Sequence, residues 1–287
     1  MWWILFAARH KMLRLLRTLA RLHHQLIGPT QPSNKFMNCF LVLFVMFMFE
    51  PGVNNLYDTI KKDSVLPTCF HIYIPLPSKV AKIWTYFFIQ MNHQFINWSL
   101  SYLVSEIIIF CCLELNKLIK TLEKRVEKGI NRELIDIYEE LFDTIRITED
   151  SLSPLCFLVL IRLFMEFFRI FSLLFNFVKG KRQTVSTINA STYAVITVIL
   201  FLTMILIADD VQKNFMNFQR LLVKKLSMYR KSQFASIVRE RVFVNNENVV
   251  LTGWGIFELK KKLILSTMAS LVTYGVLLQQ LQQTETD

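Results

Sequence analysis

The chain has 287 residues, of which 53% are hydrophobic and 25 are phenylalanine, and its formal net charge is +11. The apolar residues fall in long runs, which excludes an ordinary soluble domain and indicates an integral membrane protein. The basic residues sit between those runs, so membrane topology accounts for them and no nucleic-acid partner is expected. The five cysteines (Cys39, Cys69, Cys111, Cys112, Cys156) have no metal-ligand spacing, and the adjacent Cys111-Cys112 pair reads as two small hydrophobes in a membrane helix. Met1–Ala8 is apolar but is followed by basic residues, the reverse of the order in a cleavable signal.

In chain order, Met1–Ala8 reads as the tail of a span. Arg9 to Lys35 is basic and free of acid, with Leu13, Leu16, Leu19 (or Ala20) and Leu22 at helical spacing. That pattern predicts an amphipathic segment at a membrane surface, with His23 and His24 exposed. Phe36–Phe49 is intensely apolar and ends at Glu50-Pro51-Gly52; Met37 to Leu56 would cross if the bilayer thins locally. Val53 to Lys82 is a polar loop bearing Pro67, Pro75 and Pro77.

Ile83 to Leu115 is a second span and a wet one. Gln90, Gln94, Asn97, Ser101 and Ser105 share one helical face. Such a stripe must meet protein or water, as a ligand-pocket wall or as interhelical hydrogen bonds. Leu115, Leu118, Leu122 and Val126 would carry the helix beyond the bilayer as one rod, and Ser151–Pro154 is expected to break the charged segment that follows. Leu155 to Val178 is the next span. It carries Arg162, Glu166 and Arg169 on one face, and charges at that depth cost about 3 kcal/mol each on insertion scales unless paired. After a short basic connection, Lys179 to Ser191, comes a clear span from Thr192 to Ala208. The sequon Asn189-Ala190-Ser191 would then lie at the outer membrane surface. From Val211 the chain is amphipathic: Val211, Phe215, Phe218, Leu222, Leu226 and Tyr229 mark one face, continued by Phe234, Ile237, Val238 and Val242.

The last apolar stretch, Lys262 to Gln283, is long enough to span, but Ser266, Thr267, Ser270, Thr273, Gln279 and Gln280 interrupt it. It is either a pore or cavity lining or a helix packed in a bundle through its small residues. Under simple alternation, with Arg9–Lys35 cytoplasmic, the inner segments hold 24 lysines and arginines and the outer ones 7. That bias puts the C-terminus outside. The expected fold is therefore all-α, a multi-pass transmembrane bundle with five to six spans. It divides as 1–35 (partial span and basic segment), 36–208 (bundle), 209–261 (cytoplasmic helical anchor) and 262–287 (last helix and tail).

Gly255-Ile256-Phe257-Glu258-Leu259 followed by Thr273-Tyr274, five residues and Gln280-Leu281 resembles the signature of the insect gustatory receptors, with Leu281 where that family has phenylalanine. The resemblance implies seven spans, two of them preceding Arg9, so the chain is expected to be short at its N-terminus. It implies a tastant-gated, nonselective cation channel of four identical or mixed subunits in the plasma membrane of gustatory neurons, with lipid and a small-molecule tastant as partners. It also implies that Gln280 sits at the pore constriction and Leu281 at an apolar gate, with Tyr274 and Thr273 lower in the same helix. The ligand pocket or buried polar network would draw on Gln90, Gln94, Asn97, Arg162, Glu166 and Arg169. No cofactor or metal is implied. The competing readings are a truncated fragment and a membrane enzyme or transporter, and the scattered histidines (His10, His23, His24, His71, His93) speak against an enzyme.

Overall fold

A computed structural model describes residues 2–28, 85, 88, 100–178, 184–228 and 250–284. These residues form helices α1 (Trp2–Ile27), α2 (Leu100–Lys128), α3 (Arg132–Val178), α4 (Thr184–Met228) and α5 (Lys261–Thr284). Strands β1 (Thr252–Gly253) and β2 (Phe257–Glu258) make one short antiparallel hairpin. The all-α fold class holds. At 1.5 Å per residue the 47-residue α3 and the 45-residue α4 are each about 70 Å long, more than twice a hydrocarbon core of ~30 Å. Each must therefore project well beyond any bilayer it crosses. Among the described residues, Ala194–Met228 of α4 is the stretch long and apolar enough to cross a membrane by composition.

The chain folds into two compact units, each assembled from three separate stretches. The first comprises Met1–Pro32, Ile107–Ile161 and Leu200–Ser270. Its centre is aromatic: Tyr138 lies 6.3 Å from Phe215 in a stacked pair and 5.8 Å from Phe218, while Phe142 stacks on Phe215 at 6.1 Å. Gln219 donates to the Tyr138 hydroxyl. Leu115, Leu118, Leu122 and Val126 of α2 are all buried, so the rod extends as its leucine spacing predicts. Asn116 pairs with Asn214, and the Glu127 carbonyl accepts from Lys225. Both pairings advance in the same sense, so α2 and α4 run parallel, whereas Tyr138 and Phe142 meet Phe218 and Phe215 in the antiparallel order. The buried face of α4 (Val211, Phe215, Phe218, Leu222, Leu226) is covered within the chain itself. Tyr229 and 234–242, which would continue that face, lie outside the described residues.

Four expectations differ from the structure here. The inward stripe of α1 is Met12, Leu15, Leu19, Leu22 and Leu26, with Leu13 and Leu16 left exposed. The leucines thus divide between two stripes of one period: Leu19 and Leu22 belong to the buried one, while Leu13, Leu16 and Ala20 form an exposed one. His23 is not solvated: its Nδ1 is 2.9 Å from Glu114 Oε2, and the neighbouring Arg125 donates to the Leu26 carbonyl. Ser151–Pro154 does not break the helix. Pro154 sits inside α3; an interior proline costs roughly 3 kcal/mol, and Leu152, Leu155, Cys156 and Val159, all buried around it, supply the packing that offsets it. Asn131 caps the start of α3, its Oδ1 accepting from the Leu134 amide at 2.8 Å. Finally, α4 begins at Thr184, so most of the expected connection, including the sequon at Asn189, is helical.

The second unit comprises Ser33–Glu106, Arg162–Ile199 and Leu271–Asp287. Its described core holds Tyr102, Val104, Leu163, Phe167, Ile170 and Leu271. Ser101 and Ser105 are buried there, and the Ser105 hydroxyl bonds back to the Ser101 carbonyl at 2.7 Å. A serine that satisfies itself within its own helix does not need a partner helix for that bond.

Candidate functional site

The last helix and the hairpin that leads into it form the candidate site. Three stripes run along α5 at helical spacing. Ile264, Thr267, Leu271, Tyr274 and Gly275 face inward, buried or half-buried. Leu265, Met268, Val272 and Val276 form an exposed apolar stripe, with Leu265 at 74%. The third stripe is exposed and made of small or polar residues: Ser266, Ala269, Ser270, Thr273 and Gln280, joined by Leu277. The Ser270 hydroxyl returns to the Ser266 carbonyl at 3.0 Å, which lets a hydroxyl lie on this face without an outside partner.

The gate residues expected from the sequence divide among these stripes. Thr273 and Gln280 lie on the polar one. Tyr274 points the other way: its ring meets Phe168 edge-on at 4.4 Å, and Phe168 in turn meets Phe164 at 4.7 Å. Leu281 belongs to α5, but its side chain lies outside the described residues. Sequence reasoning missed Leu277, which falls four residues after Thr273 and three before Gln280 and is 51% exposed. That spacing was the available signal.

On α3, Glu166 takes both arginines. Arg169 Nε donates to its Oε2 at 2.6 Å, and Arg162 Nη2 lies 3.6 Å from Oε1. The triad is a paired network around a buried carboxylate. Gln90, Gln94 and Asn97 lie outside the described residues.

The hairpin was not anticipated as a structural device. The Glu149 carboxylate on α3 accepts from the Thr252 amide at 2.9 Å and also from the Thr252 hydroxyl. Ser153, one turn later, accepts the Trp254 amide on both its hydroxyl and its carbonyl. Phe157, a further turn on, packs against Trp254 at 5.4 Å and Phe257 at 5.9 Å. Glu149, Ser153 and Phe157 thus hold Thr252, Trp254 and Phe257 of the hairpin from one face of α3. The Ile256 amide bonds to the Gly253 carbonyl across a turn whose central residues, Trp254 and Gly255, both have positive φ (53° and 68°). Those values make it a type I′ turn. A Cβ at Gly253 would run into the far end of the Phe257 ring, so any side chain there requires that ring to move.

Behind the hairpin, Gln212 of α4 donates to the Leu259 carbonyl. Asp209 holds Lys213 at 2.5 Å and lies 3.8 Å from Lys261, while Glu258 pairs with Lys260 and Lys262 at 2.8 and 3.1 Å. These lysines hold the Glu258 carboxyl below its ordinary range. Burial pushes the Glu149 carboxyl up, against the two bonds from Thr252. The beginning of α5 is therefore fixed to α3 by hydrogen bonds and to α4 by charge, while most of its outer surface is left uncovered. Among the described residues no cluster of metal-ligating side chains occurs.

No family model matches the sequence, and no curated protein matches it. Solved structures do. The chain is similar to the insect olfactory receptor OR5 from Machilis hrabei in complex with eugenol, at 14% identity and a TM-score of 0.61, over 95% of this chain and 70% of that one. It is also similar to the structure of that receptor named without a ligand, at 14% identity and a TM-score of 0.50, over 96% and 77% of the two chains. Shared over nearly the whole length at so low an identity, the likeness is one of architecture: this chain has the all-α fold of the insect chemoreceptor type.

Proposed function

We propose that the chain is a subunit of a chemosensory receptor channel, gated by a small organic molecule and conducting cations, with taste as its modality. The observation that carries the reading is the exposed polar stripe of α5. Ser266, Ser270, Thr273 and Gln280 give this exposed stripe its hydroxyl and amide character, and Leu277 interrupts it with an apolar side chain. Four copies of such a helix around an axis would line a wet path with a ring of leucine that closes by dewetting and opens by dilation. α5 carries no charged side chain after Lys262, so no acid on this helix selects the ion. The C-terminal ends of helices carry about half a negative charge each, which favours cations near Gln280.

The fold shared with insect olfactory receptors supports the receptor class. Thr273-Tyr274 and Gln280, with Gly255-Ile256-Phe257 upstream, support taste over smell. The parallel course of α2 and α4, with α3 opposed, agrees with the alternating topology read from charge, in which both leave the bilayer on the cytoplasmic side. One similar receptor was solved with eugenol, a small phenol, which supports a compact and largely apolar ligand here.

Whole-cell recording with a tastant panel, with and without co-expressed receptor subunits, tests the proposal. Leu277→Ser is expected to give ligand-independent leak, and Gln280→Ala to change relative cation permeability, both at normal surface levels. Currents with unaltered leak and permeability in both variants would remove α5 from the conduction path.

A further inference from the structure

The outward side of α1 has a composition that neither the fold nor the channel reading explains. Its inward stripe, Met12 through Leu26, is sealed in the core of the first unit. The opposite side should then be ordinary solvent-facing helix, with mixed charge and few large apolar groups. It is neither. Arg14, Arg17, Arg21 and His24, spaced three, four and three residues apart, make one exposed row. Leu13, Leu16 and Ala20, spaced three and four apart, make the adjoining exposed row, with Leu13 at 49% and Leu16 at 37%. The 26 residues of the helix include no acidic residue. On this face Arg21 lies 3.6 Å from Glu140 of α3, and among the described residues neither Arg14 nor Arg17 meets an acid.

An apolar row beside a cationic row, on a helix whose other face is already buried, is complementary to one kind of surface. Leucine side chains reach the acyl boundary while guanidinium groups meet phosphate and carboxylate headgroups. An acidic protein would match the arginines but gives no reason for two exposed leucines alongside them. Water would match neither. We infer that the Leu13/Leu16 and Arg14/Arg17 face of α1 is a docking surface for an anionic phospholipid leaflet. The inference rests on the chain being a membrane protein, and it adds a lipid preference that the channel reading does not contain.

The full chain, purified and reconstituted in nanodiscs of mixed phosphatidylserine and phosphatidylcholine, tests it by the ratio of the two lipids retained on stepwise delipidation. The wild type is expected to retain phosphatidylserine preferentially, with the preference weakening as salt rises. R14Q/R17Q should lower that preference by roughly 15- to 35-fold, since each basic residue near an anionic surface contributes on the order of a fourfold to sixfold factor. R14K/R17K keeps the charge and should keep the preference. Equal retention of both lipids by the wild type overturns the inference, as does an unchanged ratio in R14Q/R17Q. Loss of the preference in R14K/R17K as well also overturns it, because it would indicate a partner that reads guanidinium geometry. A chain that fails to enter the bilayer sinks the membrane reading itself, an outcome distinguishable from lost lipid preference within an intact nanodisc.

Discussion

Two amphipathic stretches of similar length end in opposite states. Along α4, Val211, Phe215, Phe218, Leu222 and Leu226 are each no more than 1% exposed, with Phe215 and Phe218 packed on Tyr138 and Phe142 of α3. Along α5, Leu265, Met268, Val272 and Val276 are between 49% and 74% exposed. The first helix has finished its packing inside one chain, whereas the second keeps an apolar stripe and a polar stripe open. In water the second arrangement would be an aggregation liability. In a membrane receptor it is what a helix facing both lipid and a wet path requires. A hydrophobic pattern therefore says that a face will be covered, but not by what.

That contrast can be broken by substitution. The largest effect is expected inside: Phe215→Ala or Phe218→Ala removes a fully buried ring from the Tyr138 cluster and should cost about 3–5 kcal/mol, read as a lowered melting temperature in detergent. A loss under ~1 kcal/mol would mean that this interior is loose and the two helices are not so different. An intermediate effect is expected where α5 is fastened. Thr252→Ala leaves part of the Glu149 carboxylate unmet and should cost about 1–3 kcal/mol. Its readout is the fluorescence of Trp254, whose ring leaves Phe157 when the hairpin loosens.

Glu149 also sharpens the comparison through pH. Because its carboxyl is raised on folding, it contributes stability below the ordinary carboxylate range and loses that contribution as pH climbs through the raised value. Glu149→Gln should flatten this decline, and an unchanged pH profile would show that another group produces it. The smallest effect is expected outside: Leu265→Ala and Val272→Ala should each change the stability of the isolated chain by less than ~0.5 kcal/mol. Large destabilisation by either would show that the stripe is covered within the chain after all.

Local periodicity made much of this legible in advance. The buried face of α4 and the leucine rod of α2 are repeats of three and four residues, and the structure buries them as the repeats require. The Arg162–Glu166–Arg169 pairing was legible because all three residues lie within two turns of one helix. The failures have a different physical origin. On α1 the leucines outnumber one stripe, so the phase of burial is decided by what α2 presents, including Glu114 for His23. At Pro154 a local preference against helix is outweighed by packing from both sides. The Glu149–Ser153–Phe157 grip on the hairpin joins residues about a hundred positions apart, and no local pattern encodes such a contact. Leu277 shares a helical face with Thr273 and Gln280 but is not a position of the motif that singles those two out.

The turn at Thr252-Gly253-Trp254-Gly255 carries one more consequence. Each of these four neighbours is restricted for a separate reason: a hydroxyl and amide held by Glu149, a missing side chain beneath Phe257, and two successive left-handed backbones, the first on a tryptophan. No single replacement relieves more than one of those restrictions. In a saturation library the tetrad should therefore form a narrow trough of tolerance, bordered by Ile256, whose exposed side chain leaves it free to vary.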